Sequence, residues 1–220
     1  MITEAARLFD LLIFDLDGTL VDSRWDIATA VNITLDDLGA PRRTPDDIFS
    51  FIGGGVHNLM LKSLPAGAAG SLEKAVDLFW DNYKYHVLDT TKTFPGVDET
   101  LERLSSKTMA VATNKPCAHT KMILHGLGLS RYFISVQGWK EGRAVKPDPQ
   151  ILLVALDESG VPPEKAVMIG DGTSDVLAAR AAGVKSCAVG YGYGDRDKVL
   201  AASPDYYVED IRELVGLFGG

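Results

Sequence analysis

Cysteine is scarce in this sequence. Its two cysteines in 220 residues, Cys117 and Cys187, are too few and too widely spaced for a disulfide framework or a zinc knuckle. A reducing, cytoplasmic setting is the expectation. Positive charge is also short, with 22 Lys and Arg against 30 Asp and Glu and a formal net charge of -8. No dense basic stripe is present, which speaks against a nucleic-acid partner and leaves small, locally bound phosphates as the ones to consider. Long apolar runs are missing as well. The N-terminal MITEAARLFDLL mixes acids with apolar residues, lacks the basic start of a leader, and is followed by no spanning stretch, so no membrane partner is expected. What is present is ordinary globular composition, 46% hydrophobic and 24% charged, in a length that suits one large domain or a core carrying a smaller one.

Short apolar runs recur at Leu11–Phe14, Met109–Ala112, Phe133–Val136, Ala166–Ile169 and Ser186–Val189. Each precedes a turn with Gly, Asp, Asn or Pro and then a longer segment, which predicts buried strands. Helical patterns follow the second, fourth and fifth, the alternation of a parallel sheet. Between Asp22 and Thr93 the periods are helical only: Trp25–Leu38, a helix opened by Thr44-Pro45-Asp46-Asp47, Val56–Ser63 and Leu72–Val87. Leu72, Ala75, Val76, Phe79, Trp80 and Tyr83 share a helical spacing, and Thr44 places a capping residue before a Pro at the first helical position. The expected fold is α/β, a Rossmann-like parallel sheet core of residues 1–21 and 93–220 with an inserted all-helical cap domain, residues 22–92. Four helices make up the cap, with Ala66–Gly70 as a loop between two of them.

A parallel sheet binds ligands outside the carboxyl ends of its strands, so those ends carry the chemical argument. The first strand runs into Asp15-Leu16-Asp17-Gly18-Thr19. Alone, this is also ordinary turn chemistry. A calcium loop is excluded, because that pattern needs Asp or Asn at position 19 and Gly at position 20, where Thr19 and Leu20 stand. Two acids two residues apart suit a division of labour in which one attacks and the other delivers a proton to the leaving oxygen. A cation must then hold attacker and phosphate together, and Gly170-Asp171-Gly172-Thr173-Ser174-Asp175 supplies two more carboxylates at another strand end. Hard oxygen ligands favour Mg2+. Asp171 is placed as a direct ligand, whereas Asp175 reads equally as a first-turn helix acid. Thr113-Asn114-Lys115-Pro116 brings a hydroxyl and an amide ahead of a Pro that can start a helix, and Lys146-Pro147 brings an ammonium.

Taken in order, DLDGT, TNKP, a lone KP and GDGTSD, with a helical insert after the first, resemble the haloacid dehalogenase phosphatases over nearly the whole chain. Ile52-Gly53-Gly54-Gly55 with Leu59 and Leu61, the Phe94-Pro95-Gly96 return and Val189-Gly190-Tyr191-Gly192-Tyr193-Gly194 make it most similar to phosphoglycolate phosphatases within that superfamily. The segment Gln137-Gly138-Trp139-Lys140-Glu141 departs from the Gly- and Asp-rich loop expected there. The resemblance implies that Asp15 is the nucleophile and Asp17 the general acid and then base. It implies that Thr113 and Lys146 bind the transferring phosphoryl group and that Asn114 orients nucleophile or phosphate. Mg2+ would sit between the Asp15 carboxylate, the Asp17 carbonyl and Asp171, with Asp175 in support. The implied partner is a small phosphorylated metabolite, acted on by a monomer or homodimer. A phosphosugar mutase of the β-phosphoglucomutase type would use the same core residues, and a non-catalytic binding module would be expected to have lost one of them. The acid at position 17 speaks against dehalogenation, which has no leaving alkoxide to protonate. The Gly53–Gly55 turn is expected to meet the non-reacting end of the substrate. Cys117 and Cys187 read as packing residues, and His57, His86, His119 and His125 share no ligand spacing.

Overall fold

In the computed structural model, which describes residues 9–219, the unbroken apolar run Leu11–Phe14 forms β1, every residue of it fully buried. Strands buried on both faces belong to parallel sheets, where helices cover the two sides. The leader reading of the N-terminus falls largely on residues 1–8, outside the described residues. Along the chain β1 is followed by β2 (Val21–Asp22), α1 (Arg24–Asp37), α2 (Pro45–Phe49), α3 (Gly55–Ser63), α4 (Leu72–His86) and β3 (Lys92–Thr93). Then come α5 (Val97–Arg103), β4 (Thr108–Pro116), α6 (Cys117–Gly126), β5 (Ser135–Trp139) and α7 (Gln150–Ser159). The last elements are β6 (Ala166–Gly170), α8 (Thr173–Ala182), β7 (Lys185–Val189), α9 (Arg196–Ala201), β8 (Tyr206–Val208) and α10 (Glu213–Phe218).

Six strands pair in the order β5-β4-β1-β6-β7-β8, all parallel. The chain winds from β1 outward through β4 to β5, then returns to the other side of β1 and winds outward again. That reversal is where such sheets place their ligands. One face is closed by α7 and α8: Leu11 and Ile13 of β1, Ala110 and Ala112 of β4, and Ala166 and Met168 of β6 pack with Ile151, Leu152, Ala155, Ala178 and Ala179. Small residues on α8 let its backbone lie close to the strands.

The described chain divides into two compact units, one of residues up to Val21 and from Thr93 onward, the other Asp22–Lys92. The second unit is helical. Thr44 has extended geometry and its side chain accepts a hydrogen bond from the Asp47 amide, with Pro45 at the first helical position, as the sequence predicts. In α4, Ala75, Val76, Phe79 and Tyr83 are buried, and Phe79 stacks on Tyr83 with ring centroids 5.5 Å apart. The Ala66–Gly70 segment is not all loop, since a short 3-10 turn occupies Ala69–Ser71.

Two further details differ from expectation. The strand expected to end before Thr113 continues to Pro116, and Pro116 precedes α6 as its N-terminal flanking residue instead of lying inside it. The departing segment at Gln137 is strand through Trp139, paired with Pro116. The pairing holds because Gly138 lets the two backbones touch: a Cβ there would lie 2.5 Å from the Cys117 nitrogen and 2.6 Å from the Lys115 carbonyl oxygen.

Candidate active site

β1 delivers Asp15 to the end of the sheet, its amide still bonded to the Ile169 carbonyl of the neighbouring β6 at 2.8 Å. The chain then turns sharply. The amides of Leu20 and Val21 both return to the Leu16 carbonyl, at 2.9 and 3.0 Å, and Gly18 adopts φ 84°. Glycine is required at position 18 on two counts, since a Cβ would also meet the Asp171 carboxylate Oδ2 at 2.3 Å. The turn places Asp15 and Gly18 beside the acids that follow β6.

Asp15, Asp171 and Asp175 converge, each offering a carboxylate oxygen within 4.8 Å of the others. Lys146 lies among them, its Nζ 2.9 Å from Asp15 Oδ1, 2.6 Å from Asp175 Oδ1 and 2.8 Å from the Ala112 carbonyl oxygen. Its side chain is 1% exposed. Burial, the largest influence on its pKa, works to lower it, but Asp15 and Asp175 together outweigh burial and hold the ammonium above its ordinary value.

The carboxylates respond in the opposite sense. Burial, followed by the charge of Asp175, pushes Asp15 up to about 6 against the pull of Lys146. Burial, then Asp15 and Asp175, pushes Asp171 up to about 7, although the amides of Tyr193 and Gly194 donate to its Oδ2 at 2.7 and 3.1 Å. These are acids crowded by like charge, and the set fits a hard divalent cation: all its donors are oxygens.

Asp175 is a first-turn helix acid that also stands in the carboxylate cluster. At the third position of α8 its Oδ2 accepts from the Gly172 amide at 3.0 Å, capping the helix start, while Oδ1 takes Lys146. Asn114 is placed differently from expectation. Its amide nitrogen donates to the Lys146 carbonyl at 3.1 Å and its oxygen accepts from the Lys146 amide at 2.8 Å, so it holds the backbone of Lys146. Thr113 is buried on β4, and its hydroxyl accepts from the Lys115 amide at 3.3 Å.

Sequence reasoning missed two features. Lys115 reaches Asp17, its Nζ 2.9 Å from each carboxylate oxygen, so each acid of the Asp15-Leu16-Asp17 turn has a lysine against it. The only available signal was a basic residue inside TNKP. The second feature is the Gly190–Gly194 loop after β7. Besides the two amides on Asp171, its Tyr191 hydroxyl donates to the Thr19 carbonyl at 2.8 Å, and Gly192 and Gly194 lie so close to Asp171 that a Cβ would meet it at 2.3 and 1.9 Å. Alternating glycines were the signal there.

With this geometry in hand, comparison with known proteins gives a consistent result. Residues 12–189 match the family model described as haloacid dehalogenase-like hydrolase. Phosphoglycolate phosphatase 1 of Pseudomonas aeruginosa is 37% identical, aligned over 96% of this chain and 80% of that protein. The phosphoglycolate phosphatase of Aquifex aeolicus is also 37% identical, over 94% of this chain and 95% of its own. Among solved structures, a haloacid dehalogenase-like family hydrolase from Streptococcus pneumoniae superposes with a TM-score of 0.86 at 28% identity, covering 94% of this chain and 97% of that one. Among the described residues no helix is long and apolar enough to cross a membrane.

Proposed function

The chain belongs to the haloacid dehalogenase-like hydrolases, and we propose that it is a magnesium-dependent phosphatase acting on small phosphate monoesters of the phosphoglycolate kind. The reading rests above all on one observation: Lys146 bridges Asp15 and Asp175 at 2.9 and 2.6 Å while Asp171 stands in the same cluster. A nucleophile, a counter-charge for phosphate and a cation ligand thereby share one strand-end site. Similarity over 94–96% of this chain to two enzymes named phosphoglycolate phosphatase supports the substrate class.

In this reading Asp15 attacks phosphorus, and Lys146 with Thr113 holds the equatorial oxygens of the transferring group. Asn114 fixes Lys146 from behind. Asp17 gives its proton to the departing alkoxide oxygen, then takes one from the water that hydrolyses the aspartyl-phosphate. Asp15, the Asp17 carbonyl and Asp171 would hold magnesium, with Asp175 in support, and the bound ion would supply positive charge against the crowded acids and the incoming phosphate dianion. The helical unit Asp22–Lys92 serves as the cap of the family pattern. The setting is cytoplasmic, where thiols such as Cys117 and Cys187, neither in a disulfide, remain reduced.

The test is phosphate release from 2-phosphoglycolate with Mg2+ and with excess EDTA, run beside isomerisation of a sugar 1-phosphate. Hydrolysis that needs Mg2+ and outpaces isomerisation is expected. Equal release in EDTA, or isomerisation as the faster reaction, would refute the proposal.

A further inference from the structure

Lys115 is a buried charge beside Asp17 to which the roles above give no task. Its side chain is 4% exposed and its Nζ lies 2.9 Å from both carboxylate oxygens of Asp17. Its place is well fixed. It falls within the irregular register between Ala112 and Pro116, where β4 breaks its even pairing with β5. Its amide donates to Thr113 Oγ1 at 3.3 Å, and Gly138 packs directly against its carbonyl.

Position then divides the two lysines. Lys146 touches Asp15, the attacking group, so it stands on the phosphoryl side. Lys115 touches Asp17, which must meet the leaving oxygen, so it stands on the side of the departing group. An ester oxygen hydrogen-bonded to Asp17 lies about 2.7 Å from it. In phosphoglycolate a single methylene separates that oxygen from a carboxylate, which brings the carboxylate within reach of an ammonium itself in contact with Asp17. Such a substrate also adds a third negative charge to a site where Asp15, Asp171 and Asp175 already crowd one another, and that charge has to meet a cation.

We propose that Lys115 is the specificity-determining residue of this site and binds the carboxylate of the leaving group, selecting phosphate monoesters that carry an anion one carbon from the ester oxygen. This deepens the phosphatase reading above and rests on it.

Lys115→Gln keeps the length and a hydrogen-bond donor for Asp17 but removes the charge. With 2-phosphoglycolate and ethyl phosphate as paired substrates at saturating Mg2+, the variant should lose about 100-fold in kcat/KM on phosphoglycolate, chiefly through KM. On ethyl phosphate the loss should be at least about tenfold smaller, since that ester has no carboxylate to bind and feels only the altered contact with Asp17. Lys115→Arg, which restores the charge, should recover part of the preference. A preference ratio unchanged from wild type overturns the proposal. So does an equal fall on both esters, which would make Lys115 a holder of Asp17 alone. A wild type inactive on both esters would instead strike down the phosphatase reading and the inference with it. Should Lys115→Gln fail to fold by circular dichroism, the wild-type enzyme still decides: the methyl ester of the phosphoglycolate carboxyl, hydrolysed as efficiently as the free acid, overturns carboxylate selection, and a loss of about 30-fold or more supports it.

Discussion

Asp26 in the helical unit and Asp171 in the sheet unit are both buried carboxylates, 1% and 7% exposed, surrounded in opposite ways. Asp26 accepts from the Thr90 amide and hydroxyl at 2.9 and 2.5 Å and from the Thr91 amide and hydroxyl at 2.8 and 2.6 Å. It is a negative charge in a nest of donors, and it ties the start of α1 to the segment that leaves α4. Asp171 has two amides on Oδ2 and the Thr19 hydroxyl 3.4 Å from Oδ1, but burial with Asp15 and Asp175 close by pushes it up to about 7. Burying a charge is tolerable where donors match it and costly where like charges gather. The first arrangement folds a chain, and the second asks for a cation.

The largest test of that contrast sets two substitutions side by side. Asp15→Asn should cut turnover by about 10⁴-fold or more, because the amide has no nucleophilic oxygen anion. It should not lower Tm, since it removes one charge from a crowded set. Asp26→Ala should do the reverse in kind: about 3 kcal/mol of stability lost as four donors are left without their acceptor. Thermal unfolding of both proteins with steady-state rates checks this, and equal Tm losses would collapse the distinction.

A pH series sharpens the same contrast. Asp15 sits up at about 6 and Asp171 at about 7, both above the ordinary 3.8. Acids raised in the folded state bind protons more tightly there than in the unfolded chain. Their contribution therefore favours folding at low pH and is lost as pH rises from about 4 to about 7. A cation competes with those protons. Mg2+ affinity should thus climb between about pH 5 and 7, about tenfold per unit for each proton displaced, and level off above. Calorimetric titration at several pH values measures it, and a flat affinity across that window would mean the acids are already ionised without metal.

The sequence made the strands around the site legible because buried parallel strands are unbroken apolar runs, and β1, β6 and β7 each carry one. It made the acids legible because Asp15, Asp17, Asp171 and Asp175 directly follow such runs. β8 escaped notice, being three residues, Tyr206–Val208, too few for a period to show. Its position depends on Asp205, whose carboxylate takes the amide and hydroxyl of Ser186 at 3.0 and 3.1 Å. The contacts of Asn114 and Lys115 were not legible for a shared reason. Their partners, the Lys146 backbone and the Asp17 carboxylate, lie 32 and 98 residues away in sequence, and no local pattern announces such a meeting.

The smallest effect concerns the loop that holds Asp171. A Cβ at Gly192 would lie 2.3 Å from the Asp171 Cβ and 2.4 Å from the Gly18 carbonyl oxygen, both too close, so Gly192→Ala must move either the Asp171 side chain or the turn at Gly18. Overpacking of this sort costs about 1–3 kcal/mol in stability, which would not by itself distinguish a site from a core. The distinguishing quantity is Mg2+ affinity, measured without substrate and well below Tm. It should weaken about tenfold, because a carboxylate displaced by a few tenths of an ångström no longer meets the tight geometry that Mg2+ demands. Gly70→Ala provides the matched control: in the helical unit, a Cβ at Gly70 meets nothing within 4 Å, so both stability and Mg2+ affinity should stay within error of wild type. If folded Gly192→Ala binds Mg2+ as well as Gly70→Ala does, the Gly190–Gly194 loop packs against Asp171 without positioning it, and the alternating glycines there serve the fold alone.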